Sequence, residues 1–170
     1  MAILDFLTRK TRFAAALGAI KEIEGQCNRP LVILDAGGGL NTIAPLLEKR
    51  GHRVIVCDHT VVYGNADVVC DLEEGLPFED SSFDVVVSLA VVEHLNNWAH
   101  ALTEFRRVGK HVILTTPSAP GESFLRLLLS LRLIHSMTGE HKCCLSRKKL
   151  EFFGFRVKPF LFGLNQLATI

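Results

Sequence analysis

The feature that most constrains the fold is a series of short apolar segments separated by stretches with helical spacing. The apolar segments run over 31–36, 52–58, 66–71, 83–90 and 110–117. A strand with one wet face alternates apolar and polar residues, so continuous apolar runs indicate strands that are buried on both faces. Strands of this kind that alternate with helices predict an α/β fold, with a Rossmann-like, doubly wound and mostly parallel sheet.

The two ends of the chain depart from this alternation. Residues 3–24 have apolar side chains at helical spacing with basic residues between them, which predicts an amphipathic helix that packs on the domain rather than on a membrane surface. Near the other end, Ser146 is placed to cap a helix over 147–154, and two strands follow on either side of Gly163. This last pair predicts an antiparallel C-terminal hairpin.

Between the strands, helical spacing predicts helices over 41–51, 91–109 and 123–134. We find no repeat, low-complexity segment or linker that would divide the chain. The sequence therefore predicts a single domain over 1–170, made of an N-terminal helix in 1–29 and a Rossmann-like core over 30–170.

A glycine-rich turn, Asp35-Ala36-Gly37-Gly38-Gly39, follows the first predicted strand and precedes a helix. Glycines let backbone N–H groups approach a ligand closely, and the start of a helix offers unpaired donors to a carboxylate or phosphate. The dinucleotide fingerprint requires another glycine at position 42, where this chain has Thr42. The turn therefore predicts a ligand site but disfavours a nicotinamide or flavin.

Acidic residues end the next two predicted strands, at Asp58 and Asp71. The carboxyl ends of parallel strands meet at one edge of the sheet, where open α/β sheets bind their ligands. A carboxylate there can accept hydrogen bonds from both hydroxyls of a ribose. Together with Asp35, these acids predict a nucleoside site along that edge.

Composition limits the other classes of function. Lysine and arginine number 19 against 18 acids, so the chain lacks the charge of a protein that holds nucleic acid by its field alone. Five cysteines suit a reducing, cytoplasmic setting better than a disulfide framework. We expect neither a signal peptide nor a transmembrane segment. The mean hydropathy of +0.27 leaves open an apolar surface for a partner or a lipid-like substrate.

Five stretches combine into a wider pattern: VILDAGGGL (32–40), VIVCD (54–58), VVCDLEEGLPFEDSSFDVVVSLAVVEHL (68–95), KHVILTTP (110–117) and GEHKCCLSRKKLEFFGFRV (139–157). In this combination the chain resembles the class I S-adenosylmethionine-dependent methyltransferases, especially their small bacterial-type members. The resemblance implies a seven-stranded sheet with a reversed last strand, in agreement with the predicted hairpin. It also implies S-adenosyl-L-methionine as cofactor and S-adenosyl-L-homocysteine as its product.

The resemblance further implies roles for individual residues. The turn from Asp35 through Ala36, Gly37, Gly38 and Gly39 would surround the methionine part of the cofactor. Asp58, with His59 beside it, would hold the ribose, and Asp71 with Leu72 would meet the adenine. The other side of the cofactor would be lined by Ser88, Leu89 and Ala90.

Two histidines are candidates for catalysis, through contact with the acceptor or removal of its proton. His94 follows the fourth strand of the predicted core, and His141 lies in the loop before the last helix. An ordinary hydrogen-bonded or exposed histidine is the alternative for each. A zinc site from His135, His141, Cys143 and Cys144 lacks paired C-x-x-C spacing, so we predict no metal.

The sequence thus predicts a methyltransferase with an unidentified acceptor. The alternative is a non-catalytic binding or scaffold subunit, which the short connection from Asp58 to Ala66 favours because it leaves no room for a full crossover helix. An NAD-dependent oxidoreductase is a third hypothesis, disfavoured by Thr42 and by the terminal hairpin.

Overall fold

Helices and strands alternate over much of the chain as the apolar pattern predicts, but no helix separates β3 from β4 in the described residues 70–82. The structure, a computed structural model, describes residues 2–39, 42–59, 66–130 and 141–170. Its helices are α1 (Ala2–Glu24), α2 (Ala44–Glu48), α3 (Trp98–Val108), α4 (Ala119–Ser130) and α5 (Arg147–Phe152), with a 3-10 turn at Val92–His94. Its strands are β1 (Val32–Ala36), β2 (Arg53–Asp58), β3 (Val68–Val69), β4 (Phe83–Leu89), β5 (Gly109–Pro117), β6 (Arg156–Phe160) and β7 (Asn165–Thr169).

The strands form one seven-stranded sheet in the order β3-β2-β1-β4-β5-β7-β6. Strands β1 to β5 are mutually parallel, and β7 runs antiparallel to both β5 and β6. The predicted α/β class, the mostly parallel sheet and the antiparallel C-terminal hairpin are therefore confirmed. The strand order reverses between β1 and β4, and the crevice at the carboxyl ends beside such a reversal is where doubly wound sheets bind ligands.

Side chains that alternate along the central strands pack into two cores, one on each face of the sheet. The core under α1 and α2 contains fully buried side chains from three strands and both helices: Ile20, Ile33, Leu47, Val85, Val87 and Ile113. The core under α3 and α5 takes the intervening strand positions: Leu34, Val86, Leu102, Phe105, Leu114 and Leu150. The burial of Ala16 and Ile20 confirms that the N-terminal helix packs on the domain.

Two helices begin at different places from those that spacing predicts. The predicted helix over 91–109 is interrupted at Leu95, which is extended (ψ 137°), and α3 starts after Asn97. Glu73 explains the break, because its carboxylate accepts the amides of Asn96 and Asn97 at 3.1 and 2.9 Å. Helix α4 begins at Ala119 rather than at residue 123, since the Ser118 hydroxyl caps it by accepting the Gly121 amide at 3.1 Å.

Several predictions concern segments outside the described residues. They are the connection over 60–65, the end of the helix predicted over 123–134, and His135. Helix α2 covers only part of the predicted 41–51. Within the described chain, no helix has both the length and the hydropathy needed to cross a bilayer.

Candidate functional site

The first part of the site is the turn that follows β1. Asp35 is 2% exposed, and its Oδ2 accepts hydrogen bonds from the Thr42 hydroxyl at 2.6 Å and the Ile43 amide at 3.0 Å. Burial raises the pKa of Asp35 to about 6, and the bonds from Thr42 and Ile43 offset that effect only in part. The Asp35 side chain thus links the end of β1 to the residues that start α2. The adjacent Ala36 is fully buried.

The three glycines of this turn are enclosed by neighbouring side chains. Gly37 has φ 81°, and a Cβ at this position would lie 2.6 Å from two methyl carbons of Val91. A Cβ on Gly38 would lie 2.5 Å from Oδ2 of Asp35, and Gly39 is equally crowded. Any side chain here would displace its surroundings, so the turn exposes backbone instead of side chains.

The second part of the site is a pair of acids, Asp58 at the end of β2 and Asp71 two residues after β3, which is shorter than the strand predicted over 66–71. Oδ2 of Asp58 accepts the Gly39 amide at 2.9 Å, and Oδ1 lies 2.8 Å from Nδ1 of His59, whose side chain is 79% exposed. The amide of the residue before Asp71 donates to the Asp58 carbonyl at 3.0 Å, so the two acids are neighbours on one edge. Asp71 is exposed and accepts an amide two residues further on at 2.8 Å, whereas Leu72 is buried.

The third part lies where β4 and β5 end. Ser88 is fully buried and Leu89 half-buried, and Ala90 has the left-handed φ of 58° that is uncommon outside glycine. The Ala90 amide donates to the Thr115 carbonyl at 2.9 Å. The hydroxyls of Ser88, Thr115 and Thr116 are buried and have no hydrogen-bond partner among the described residues. Buried hydroxyls are normally satisfied, so these groups are suited to meet a ligand. Ser88 and Thr116 share the sheet face of Val86 and Leu114, whereas Thr115 lies on the opposite face.

Beyond this strand end, the structure brings the two predicted histidines together. The ring centroids of His94 and His141 are 4.9 Å apart at an interplanar angle of 62°. The backbone carbonyl of Glu93 accepts the amides of the two residues after His141, at 2.9 and 3.2 Å, and so fixes that loop against the 3-10 turn. Nδ1 of His141 is 2.5 Å from Oε2 of Glu122 on α4. The pair is therefore held by backbone as well as by side chains.

The two glutamates beside the histidines have opposite pKa shifts. Burial raises the pKa of Glu93 above its ordinary value, although the charges of His94, His141 and Arg12 act in the other direction. Burial also acts to raise the pKa of Glu122, but hydrogen bonds from His141 and Arg126 outweigh it and the pKa is lowered. Glu122 is therefore ionised at neutral pH, and Glu93 is a carboxyl with little compensation for its burial.

Sequence reasoning missed Glu93, Glu122, Thr115 and Thr116. Three of them had a usable signal, because Glu93 interrupts the apolar run before His94 and the two threonines interrupt the apolar strand β5. An unexplained polar residue in a buried element is a reason to expect a site. Glu122 had no such signal, since it follows the start of a surface helix as many glutamates do.

Comparison with known proteins matches the central segment of the sequence and the fold of the chain. A family model described as a methyltransferase domain matches residues 34–112. The fold is similar to that of a S-adenosylmethionine-dependent methyltransferase of Thermotoga maritima, with a TM-score of 0.68, 16% identity, and coverage of 96% of this chain and 91% of that one. None of the curated proteins matches the sequence.

Two further structures share the fold. One is the magnesium protoporphyrin IX methyltransferase of Synechocystis with bound S-adenosylhomocysteine, with a TM-score of 0.64, 17% identity, and coverage of 95% and 81% of the two chains. The other is a methyltransferase of Haloferax volcanii in complex with a methyltransferase activator, with a TM-score of 0.60, 15% identity, and coverage of 97% and 93%. Over residues 34–112 the chain thus matches a methyltransferase domain, and its seven-stranded fold is similar to the folds of these solved methyltransferase structures.

Proposed function

We propose that this chain binds S-adenosylmethionine along the carboxyl ends of β1 to β4 and transfers its methyl group to an acceptor held near His94 and His141. The observation that carries the proposal is the bond between the Gly39 amide and Asp58, which joins the glycine turn and the end of β2 into one cradle. The buried hydroxyls at the ends of β4 and β5, which have no partner among the described residues, supply the polar groups on the other side.

In this proposal each part of the cradle meets one part of the cofactor. The exposed backbone of Gly37, Gly38 and Gly39 receives the amino-acid portion, and Asp58 accepts hydrogen bonds from the ribose hydroxyls. Asp71 and the backbone of Leu72 meet the adenine, with His59 at the open end. The opposite wall is formed by Ser88, Leu89 and Ala90.

The cofactor supplies an electrophilic methyl carbon, so the protein's main task is to orient and dry the reacting groups. Orientation of this kind is worth about 7–11 kcal/mol of the barrier. For an acceptor that must lose a proton, His141 is the proposed base, since Glu122 holds Nδ1 and leaves Nε2 as the other ring nitrogen. His94 is proposed to contact the same acceptor.

The exposed surface of α4 bears on the chemical class of the acceptor. Phe124 and Leu127 on α4 are 41% and 53% exposed, close in sequence to Glu122. These side chains favour an acceptor with an apolar portion, including a lipid-like one. The five free thiols of the described chain suit a reducing compartment, and we propose the cytoplasm.

Thermal shift with S-adenosylhomocysteine, S-adenosylmethionine and NAD tests the proposal. A ligand at one hundred times its Kd stabilises the fold by about 2.7 kcal/mol, which for a domain of this size raises Tm by about 5–10 °C. We expect this rise with both sulfur compounds and none with NAD. Asp58→Asn is expected to remove most of the rise, whereas Asp80→Asn, an exposed acid paired with Arg107, is the matched control and is expected to keep it.

Transfer itself is tested by incubating the protein with methyl-labelled cofactor and a small-molecule extract. Label that enters an acceptor with the unaltered chain and the Asp80→Asn control, but not with Asp58→Asn, supports an enzyme. Cofactor binding without label transfer to any acceptor would support the non-catalytic alternative instead. A rise in Tm with NAD alone would overturn the assignment of the cradle.

A further inference from the structure

Glu93, His94 and His141 place three metal-ligating groups together, although the sequence predicted no metal site. One ligand atom from each residue, a carboxylate oxygen and two imidazole nitrogens, lies within 4.8 Å of the other two. Two histidines and one glutamate form a donor set that zinc uses when a further coordination position is left for water or substrate. At zinc–ligand distances of about 2.0–2.1 Å the donor atoms would be about 3.4 Å apart. Rotamer adjustments of about an ångström would therefore close the site.

The backbone already holds these groups in place. The loop that carries His141 donates two amides to the Glu93 carbonyl, at 2.9 and 3.2 Å. The thiol of Cys143 donates to the Val92 carbonyl at 3.4 Å, so it is engaged with the same turn rather than with the three donors. The site thus joins the 3-10 turn to a loop nearly fifty residues later without depending on side chains alone.

The carboxylate of Glu93 provides an independent reason to expect a cation. Glu93 is 2% exposed, and its Oε2 is buried without a hydrogen-bond partner among the described residues. Arg12 on α1 attracts the Glu93 charge, and Oε2 accepts no hydrogen bond from the part of the chain that the structure describes. A buried carboxylate oxygen with no donor is costly by a few kcal/mol, and metal coordination removes that penalty.

Glu122 supplies the support that metal-bound histidines need. Its Oε2 lies 2.5 Å from Nδ1 of His141, and Arg126 holds the other oxygen at 3.0 Å. A histidine that binds a metal through one ring nitrogen usually donates from the other to a carboxylate, which fixes its tautomer and orientation. The Glu122–His141 pair has this form, with Nε2 as the ligand atom.

We propose that Glu93, His94 and His141 bind one Zn²⁺ ion, with Glu122 as the carboxylate that orients His141. The metal site stands on its own geometry. The role of the metal ion rests on the proposed function. An ion beside the end of β4 would hold an acceptor through one of its oxygen atoms. His141 would then be a metal ligand instead of a base. The acceptor class this favours is a hydroxyl or carboxylate compound.

Metal binding to the chelator-treated full chain provides the test, with Zn²⁺ titrated by calorimetry and metal content measured after dialysis. We expect one equivalent bound. His141→Gln and Glu93→Gln are expected to weaken binding at least 100-fold, and Glu122→Gln by 10- to 100-fold, in line with the loss of an orienting carboxylate. His111→Gln is the matched control at the far end of β5 and is expected to bind like the unaltered chain.

Substitution of Co²⁺ in the unaltered chain keeps the test decisive where a variant does not fold. Nitrogen and oxygen ligands give a visible cobalt spectrum without the charge-transfer band of a thiolate. No binding to the unaltered chain, binding that survives His141→Gln, or a thiolate band would each overturn the proposal. The thermal shift with S-adenosylhomocysteine is measured on the same samples, so loss of cofactor binding with zinc binding intact would refute the proposed function and leave the metal site standing.

Discussion

Gly39→Ala tests the cofactor cradle at the point where its two halves meet. A Cβ on Gly39 would lie 2.7 Å from Oδ2 of Asp58, closer than such atoms approach in folded proteins, and 3.0 Å from its Cγ. The Asp58 carboxylate must therefore move, and it loses its 2.9 Å bond from the Gly39 amide and the orientation that the proposed ribose contact requires. One hydrogen bond to a charged group is worth about 1.5–3 kcal/mol, so we expect affinity for S-adenosylhomocysteine to fall about 30-fold.

The assay is the rise in Tm at a fixed concentration of S-adenosylhomocysteine. At one hundred times the Kd of the unaltered chain the ligand contributes about 2.7 kcal/mol, and a 30-fold weaker variant retains about 0.9 kcal/mol. The rise should therefore shrink from about 5–10 °C to about 2–3 °C. Gly18→Ala is the control: Gly18 lies in α1, and no atom of the described residues comes within 4 Å of the new Cβ. It should stabilise the free chain by about 0.5–1 kcal/mol and keep the full rise. A folded Gly39→Ala chain that also keeps the full rise would refute the cradle.

Three further predictions concern the scaffold. Gly121→Ala should weaken the packing of α4 on the domain, because the new Cβ would overlap the Leu164 carbonyl. We expect faster proteolysis within α4 and a lower Tm. An unchanged Tm would contradict this contact. Hydrogen bonds from Arg29 at 2.7 and 2.8 Å hold the pKa of Asp84 well below its usual range, so Asp84 stabilises the fold above about pH 4 and loses that effect as pH falls further. Asp84→Asn should therefore cost about 1–2 kcal/mol in urea unfolding at pH 7, and the difference from the unaltered chain should shrink at pH 3; a constant difference would refute the ionic origin. Phe105→Ala, at a fully buried position, should cost about 3–5 kcal/mol in the same assay, and a loss below 1 kcal/mol would mean that the core refills the space.

The sheet was predictable from the sequence because a strand that is buried on both faces is a continuous run of apolar residues. The segment FDVVVSL has no wet face, and the structure buries six of its seven residues in β4. The hairpin was predictable for a related reason, since Gly163 separates two short apolar runs and has a φ of 79° in the turn. The buried strands and the hairpin depend on residues that are close in sequence, so the pattern of a few consecutive positions is enough to predict them.

Helix ends were less predictable because distant residues decide them. The spacing over 91–109 predicts one helix. Instead, the Glu73 carboxylate accepts the amides of Asn96 and Asn97, and α3 starts directly after them. Proline usually interrupts a helix, so Pro120 suggests that α4 starts after it. Proline is nevertheless tolerated in the first turn of a helix, where the backbone N–H that it lacks would have no intrahelical partner. Ser118 supplies the cap that makes this position the start of α4.

The candidate site also has one part that residues close in sequence determine and one part that distant residues determine. The residues of the proposed cofactor cradle lie at or just after strand ends, so parallel pairing brings Asp35, Asp58 and Asp71 to one edge once the strands are known. The cluster at His141 depends instead on two long-range contacts, the Glu93 carbonyl with the loop amides and the Glu122 carboxylate with the imidazole. Glu122 is itself positioned by the start of α4, which Gly121 allows to approach the β6–β7 turn. Loss of that approach should therefore disturb the histidine cluster while leaving the cradle intact, which makes the two halves of the site separable by mutation.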